Sequence, residues 1–171
     1  MTTRLAVVQL ALKDNGYNDG AGYGAASKYS ADMHHGAEYD CADGVSWWFR
    51  HAGLPLPVMQ PGDRDGFSYC PDAWTYARQH GATCWSWQAQ PADFALFDWT
   101  GDGVADHVEL VESWSAGVLH TIGADSGPSN VDHYRGQGGT HRHTWSAPSG
   151  AGNKLILGIV NTAKLVHFAT K

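Results

Sequence analysis

Tyr39-Asp40-Cys41-Ala42-Asp43-Gly44-Val45-Ser46-Trp47 is the stretch that decides how this chain folds. It places a cysteine at the first turn of a helix. Asp40 is of the residue type that favours an N-cap, and Asp43 stands three residues on, as in a capping box. Gly53 and then Pro55 close the segment, so the spacing predicts a helix over 41–52. A thiol at a helix start meets unpaired N–H groups and the positive end of the helix dipole, and both favour the thiolate. Asp40 and Asp43 oppose it electrostatically, so a nucleophile here needs a nearby imidazolium. On position alone, Cys41 reads equally as a nucleophile or as a small packed hydrophobe.

Working outward, the first half reads as helices and the second as strands. Leu5 to Leu12 is apolar with a helical period and stops at Asp14-Asn15-Gly16. Ala25 to Met33 reads as a short helix, and Asp72 to His80 as another, with Pro71 near its start and Gly81 beyond its end. After these come Ala95-Leu96-Phe97, the turn Thr100-Gly101-Asp102-Gly103, the strand His107 to Glu112, the strand Val118 to Ile122, and an apolar strand over Lys154 to Asn161. Helices followed by a meander of short antiparallel strands is an α+β pattern, expected to form one domain over residues 1–171. His107 opens a strand directly after the acidic turn, where a base can meet a nucleophile at a helix start. The chain has 10 histidines. His34, His35, His51, His80, His120, His133, His141, His143 and His167 are read as surface or packing residues.

Composition narrows the function classes. A hydrophobic share of 43% supports a core, and a net charge of −6 without a basic patch argues against nucleic-acid binding. No apolar run approaches a membrane span. Met1 to Leu12 lacks a cleavage-site pattern, so no signal peptide is expected. Three cysteines leave at least one thiol unpaired within the chain, and Cys70 and Cys84 read as small hydrophobes rather than as a bridge.

The 39–47 stretch resembles the nucleophile helix of CHAP domains, the cysteine- and histidine-dependent amidohydrolase/peptidases. Pro91 to Trp99, running through Gly101-Asp102-Gly103-Val104-Ala105-Asp106-His107-Val108, resembles their catalytic histidine hairpin, and Thr121-Ile122-Gly123-Ala124-Asp125 the strand end that supplies the third residue. The resemblance implies a papain-like fold and a phage endolysin type of peptidoglycan hydrolase, with Cys41 as nucleophile, His107 as base and Asp125 as orienter. It leaves open whether the enzyme is an endopeptidase or an N-acetylmuramoyl-L-alanine amidase. The chain departs from the family at Gly44, where an aromatic is common, and at Asp40. It also has Glu109 where Gly usually follows His-Val, and Gly123 where Glu is frequent. Glu109 shares strand parity with His107 and is the alternative orienter.

No cofactor is expected to be required, and calcium is the alternative weighed. Asp98, Thr100, Asp102, Gly103, Asp106 and Glu109 follow EF-hand spacing without flanking helices, so a polar hairpin is the expected reading. Asp32, His34, Gly36, Glu38 and Asp43 lie where some CHAP domains bind calcium, but His34 is a poor ligand for a hard cation. His141-Arg142-His143 lacks the further ligands of a zinc site. Bacterial peptidoglycan is the expected partner, with phage particle proteins a further class, and a monomer acting at the cell wall is expected. The rival readings are a non-catalytic wall-binding module and a structural phage-tail component of the same fold.

Overall fold

The computed structural model describes residues 3–18, 26–36, 38–128, 138–146 and 155–169. Among these, four α-helices come first: α1 (Arg4–Lys13), α2 (Lys28–Asp32), α3 (Cys41–His51) and α4 (Cys70–Gln79). Six strands follow: β1 (Thr83–Cys84), β2 (Phe94–Phe97), β3 (His107–Ser115), β4 (Val118–Gly123), β5 (His141–Ser146) and β6 (Ile156–Val160). They form one sheet in the order β1-β6-β2-β3-β4-β5, with antiparallel neighbours throughout. The architecture is α+β, as the sequence predicts. Ala25, His133 and Lys154 lie outside the described residues.

Helix α3 ends where the sequence says it should. Gly53 takes φ 76°, and its N–H donates to Arg50 O at 2.8 Å. The Leu54 N–H reaches Phe49 O at 3.0 Å, completing a Schellman stop. The start of the helix corrects the expected capping box. Asp40 is the N-cap residue, but its φ −106°, ψ 15° is not the extended cap geometry, and its side chain makes no capping bond. Asp43 turns instead to the His35 ring, with Oδ1 3.1 Å from Nδ1.

Val45, Trp48 and Phe49 put the buried stripe of α3 into a core shared with Val108 and Leu110 of β3. Each such side chain stabilises the fold by about 1.5–3 kcal/mol. Gly44 decides how close the helix comes. A Cβ there lies 2.6 Å from the Ala124 Cβ, so only glycine lets α3 press onto the end of β4. Ser46 then fastens the chain ahead of α4: its hydroxyl donates to Phe67 O at 2.7 Å and accepts the Phe67 N–H at 2.9 Å. This places Cys70, the first residue of α4, against the start of α3.

The other face of the sheet is buried too. Alternation along β3 sends Val111 to a second core with Phe97, Leu119, Trp145 and Ile159. His141-Arg142-His143, which no strand was expected to include, opens β5. The strand pairs with β4 from Val118↔Ser146 to Gly123↔His141. His143 and Trp145 point inward, while Arg142 reaches Glu112 at 2.6 Å on the exposed side. Its composition is poor in β-branched residues, so long-range pairing rather than local propensity makes it a strand.

Candidate active site

Cys41 and His107 line the same cleft. Cys41 opens α3, His107 opens β3, both are buried, and each shifts the other's proton affinity. Trp99, at the end of the hairpin, stacks over His107 with centroids 4.8 Å apart and planes 29° from parallel. The pair sits in a cleft of about 300 Å³ whose lining includes Tyr39, Tyr69, Trp99, Asp106 and Asp125. Asp98 and Asp106 close the turn of the hairpin. Asp98 accepts the N–H groups of Gly101, Asp102 and Gly103, and Asp106 those of Trp99 and Thr100. The EF-hand-like spacing thus serves a polar hairpin, and Glu109 lies at the far side, against His107.

The carboxylate set against His107 is Glu109, with Oε1 3.3 Å from Nε2. Asp125, the first-choice orienter, is at the cleft wall in a left-handed conformation, φ 49°. The register explains the place of Glu109. Leu110 pairs with Ile122, so Glu109 lies beside Gly123. A Cβ on Gly123 falls 2.6 Å from the Glu109 Cγ and 2.9 Å from Oε1. The two departures from the family pattern are therefore one: the missing side chain at 123 is the space that Glu109 occupies.

Glu109 is saturated with donors. Thr121 Oγ1 donates to Oε2, as does Trp145 Nε1 at 3.1 Å. His143 Nδ1 lies 2.8 Å from Oε1, and its Nε2 lies 2.9 Å from Gly127 O. His143, read from sequence as a surface or packing residue, is thus buried in the site. The signal that could have found it is the alternation His141-His143-Trp145, which needs β5 recognised as a strand first. Burial alone disfavours a charged Glu109, but the His107 and His143 rings outweigh it and hold the carboxyl well below its usual range. Burial likewise disfavours an imidazolium at His107, and Cys41 and Glu109 outweigh that, raising it to about 10.

Cys70 is a neighbour the sequence did not reveal. Its Sγ lies 3.8 Å from that of Cys41. The contact and burial raise the Cys41 thiol, while His107 pulls the other way. Glu109 favours a proton on the His107 ring, and Cys70 one on the Cys41 sulfur. All three cysteines are free thiols, so the Cys70–Cys84 bridge does not form.

A second cluster lies beside the start of α3. One ligand atom each of His35, Glu38 and Asp43 falls within 4.8 Å of the others, and Asp63 lies 3.4 Å from the second nitrogen of His35. Burial, Glu38, Asp40 and Asp63 push Asp43 up to about 9. Asp32 is not part of it, since it pairs with Arg50 at 2.8 Å, and His35 stands where His34 was expected. A hard cation takes about six to eight oxygens. An imidazole held between carboxylates is a poor match to that cage, so the residues present do not fit calcium.

No protein-family model matches the chain, and no curated protein matches it. Among solved structures, a Staphylococcus aureus protein described as similar to lipoprotein, of the NLP/P60 family, is 18% identical over 96% of this chain, with a TM-score of 0.47. This chain spans 41% of that protein's length.

Proposed function

We propose that the chain is a cysteine-dependent hydrolase that cleaves an amide bond of bacterial peptidoglycan, in the manner of a phage lysin. The observation that carries the reading is that Cys41 and His107 line one open cleft, with Glu109 set against the His107 ring. His107 Nδ1 accepts the thiol proton, and the Cys41 sulfur attacks the substrate carbonyl carbon. The tetrahedral oxyanion is met by the Cys41 N–H, which as the first residue of α3 has no partner within the helix. His107 returns its proton to the leaving amine, giving an acyl-enzyme. Water, deprotonated by His107, then releases the acid and restores the thiol. Glu109 fixes the ring so that Nε2 carries a proton and Nδ1 faces sulfur. The peptidoglycan substrate comes from the sequence resemblance, and the cleft supports it by exposing Tyr39 and Tyr69 at its rim.

The test is digestion of purified peptidoglycan by wild type and Cys41→Ala, with mass spectrometry of the soluble fragments. Fragments from the wild type alone establish the nucleophile. A new stem-peptide or cross-bridge terminus identifies an endopeptidase, and a free lactyl group with an N-terminal alanine identifies an amidase. Binding without cleavage across several wall types overturns the enzyme reading in favour of a wall-binding module.

A further inference from the structure

Among the described residues, the His143 ring nitrogens hydrogen-bond two oxygens. On one side Nδ1 lies 2.8 Å from Glu109 Oε1, and on the other Nε2 lies 2.9 Å from Gly127 O. A carbonyl oxygen only accepts, and so does an ionised carboxylate. A neutral imidazole carries one N–H, so in either tautomer one ring lone pair points at an oxygen lone pair. With a side chain only 3% exposed, no solvent relieves that clash. A doubly protonated ring satisfies both contacts. Glu109 points the same way: its other oxygen already accepts from Thr121 and Trp145, so it is built to stay ionised between two rings.

We propose that His143 is a positioning residue of the active site, held as an imidazolium, which anchors Glu109 and offsets part of its charge so that His107 remains able to give up its proton. The proposal deepens the hydrolase reading and rests on it for the catalytic role alone; the protonation of His143 stands without it. Without a second cation, a buried carboxylate would face His107 alone and lock its proton in place. With His143 charged, the carboxylate still orients the ring while its pull is shared. The groups that face His143 are Glu109 from β3, Thr121 from β4, the Gly127 carbonyl after β4, and His141 on its own strand, with His107 across the carboxylate. The raised basicity of His143, burial being outweighed by Glu109 and the Gly127 carbonyl, agrees with this.

The experiment is nitrogen-15 NMR of the histidine side chains in the full chain, with His143 assigned by loss of its signals in His143→Gln. In the wild type, both His143 nitrogens are expected to carry protons from pH 6 to pH 8. In His143→Gln, which can still donate to Glu109 but bears no charge, the His107 midpoint is expected to rise by about one pH unit. The alkaline side of the Cys41 alkylation profile should move with it. A packing role alone moves neither. A bare nitrogen on wild-type His143 at pH 7, with the proton on Glu109, overturns the proposal, as does a folded variant whose His107 midpoint stays or falls. If the variant does not fold, the signals lost from its spectrum no longer isolate His143; assignment then comes from through-bond correlation to the β5 backbone, and the wild-type spectrum decides. Failure of wild type to cut peptidoglycan rejects the hydrolase reading and leaves these signals as they are.

Discussion

Gly123→Ala tests the placement of Glu109 with a single methyl group. The added Cβ lies 2.6 Å from Glu109 Cγ, 2.9 Å from Oε1 and 3.0 Å from Cδ. Carbon atoms in contact prefer about 3.5–4.0 Å, so roughly 1 Å of overlap must be relieved. Glu109 is held by pairing with Ala95 of β2 and Gly123 by pairing with His141 of β5, and the next residues pair as Leu110 with Ile122, so the strands resist separation and the Glu109 side chain has to move. Its bond to His107 Nε2 is already 3.3 Å, and a shift of that size breaks it. Overpacking of this kind costs about 1–3 kcal/mol, and a lost charge-assisted hydrogen bond about 1.5–3 kcal/mol. At about 1.4 kcal/mol per tenfold, turnover should fall by about 10- to 100-fold. The assay is the rate of fragment release from purified peptidoglycan, with the melting temperature followed in parallel. Gly36→Ala is the control, because a Cβ there meets nothing within 4 Å. If Gly123→Ala stays within twofold of wild type in both rate and melting temperature, the steric pairing of positions 109 and 123 is wrong.

Three further outcomes are expected. Cys70→Ala removes the thiol 3.8 Å from the nucleophile, so the midpoint of Cys41 alkylation by iodoacetamide should shift to lower pH; an unmoved midpoint would show that Cys70 does not tune Cys41. Glu109→Gln puts an amide where each oxygen now faces donors, costing about 1–3 kcal/mol. Because folding lowers the Glu109 pKa, its contribution is present above the unfolded value of 4.5 and fades as pH falls through and below it, so the variant should lose part of the acid limb of the melting curve. Asp43 has the opposite sign. Its pKa rises from 3.8 to about 9 on folding, so its contribution is full below pH 3.8 and is lost as pH rises toward 9. Asp43→Asn should therefore raise the melting temperature at pH 8 more than at pH 5, and equal effects at both would count against the crowding of carboxylates around His35.

Local patterns settled much of the architecture in advance. The helix at 41–51 is marked by its apolar spacing and its glycine stop, and the hairpin before His107 by its Gly-Asp-Gly turn, because each depends on residues a few positions apart. For the same reason Cys41 at a helix start and His107 at a strand start were legible as a pair. Strand parity also kept Glu109 in view as an alternative to Asp125. What lay beyond the sequence is everything set by register. Glu109 meets Gly123 across β3 and β4, and His143 lies 34 residues from Glu109 along the chain yet 2.8 Å from its oxygen. Cys70 reaches Cys41 across 29 residues of chain, with Ser46 tying down the intervening loop. The polar run His141-Arg142-His143 becomes a strand only through its pairing with β4. Local spacing thus picked out Cys41 and His107 as a candidate pair. Tertiary structure decided which groups hold them, because a side chain's neighbours across a sheet depend on pairing that no local pattern encodes.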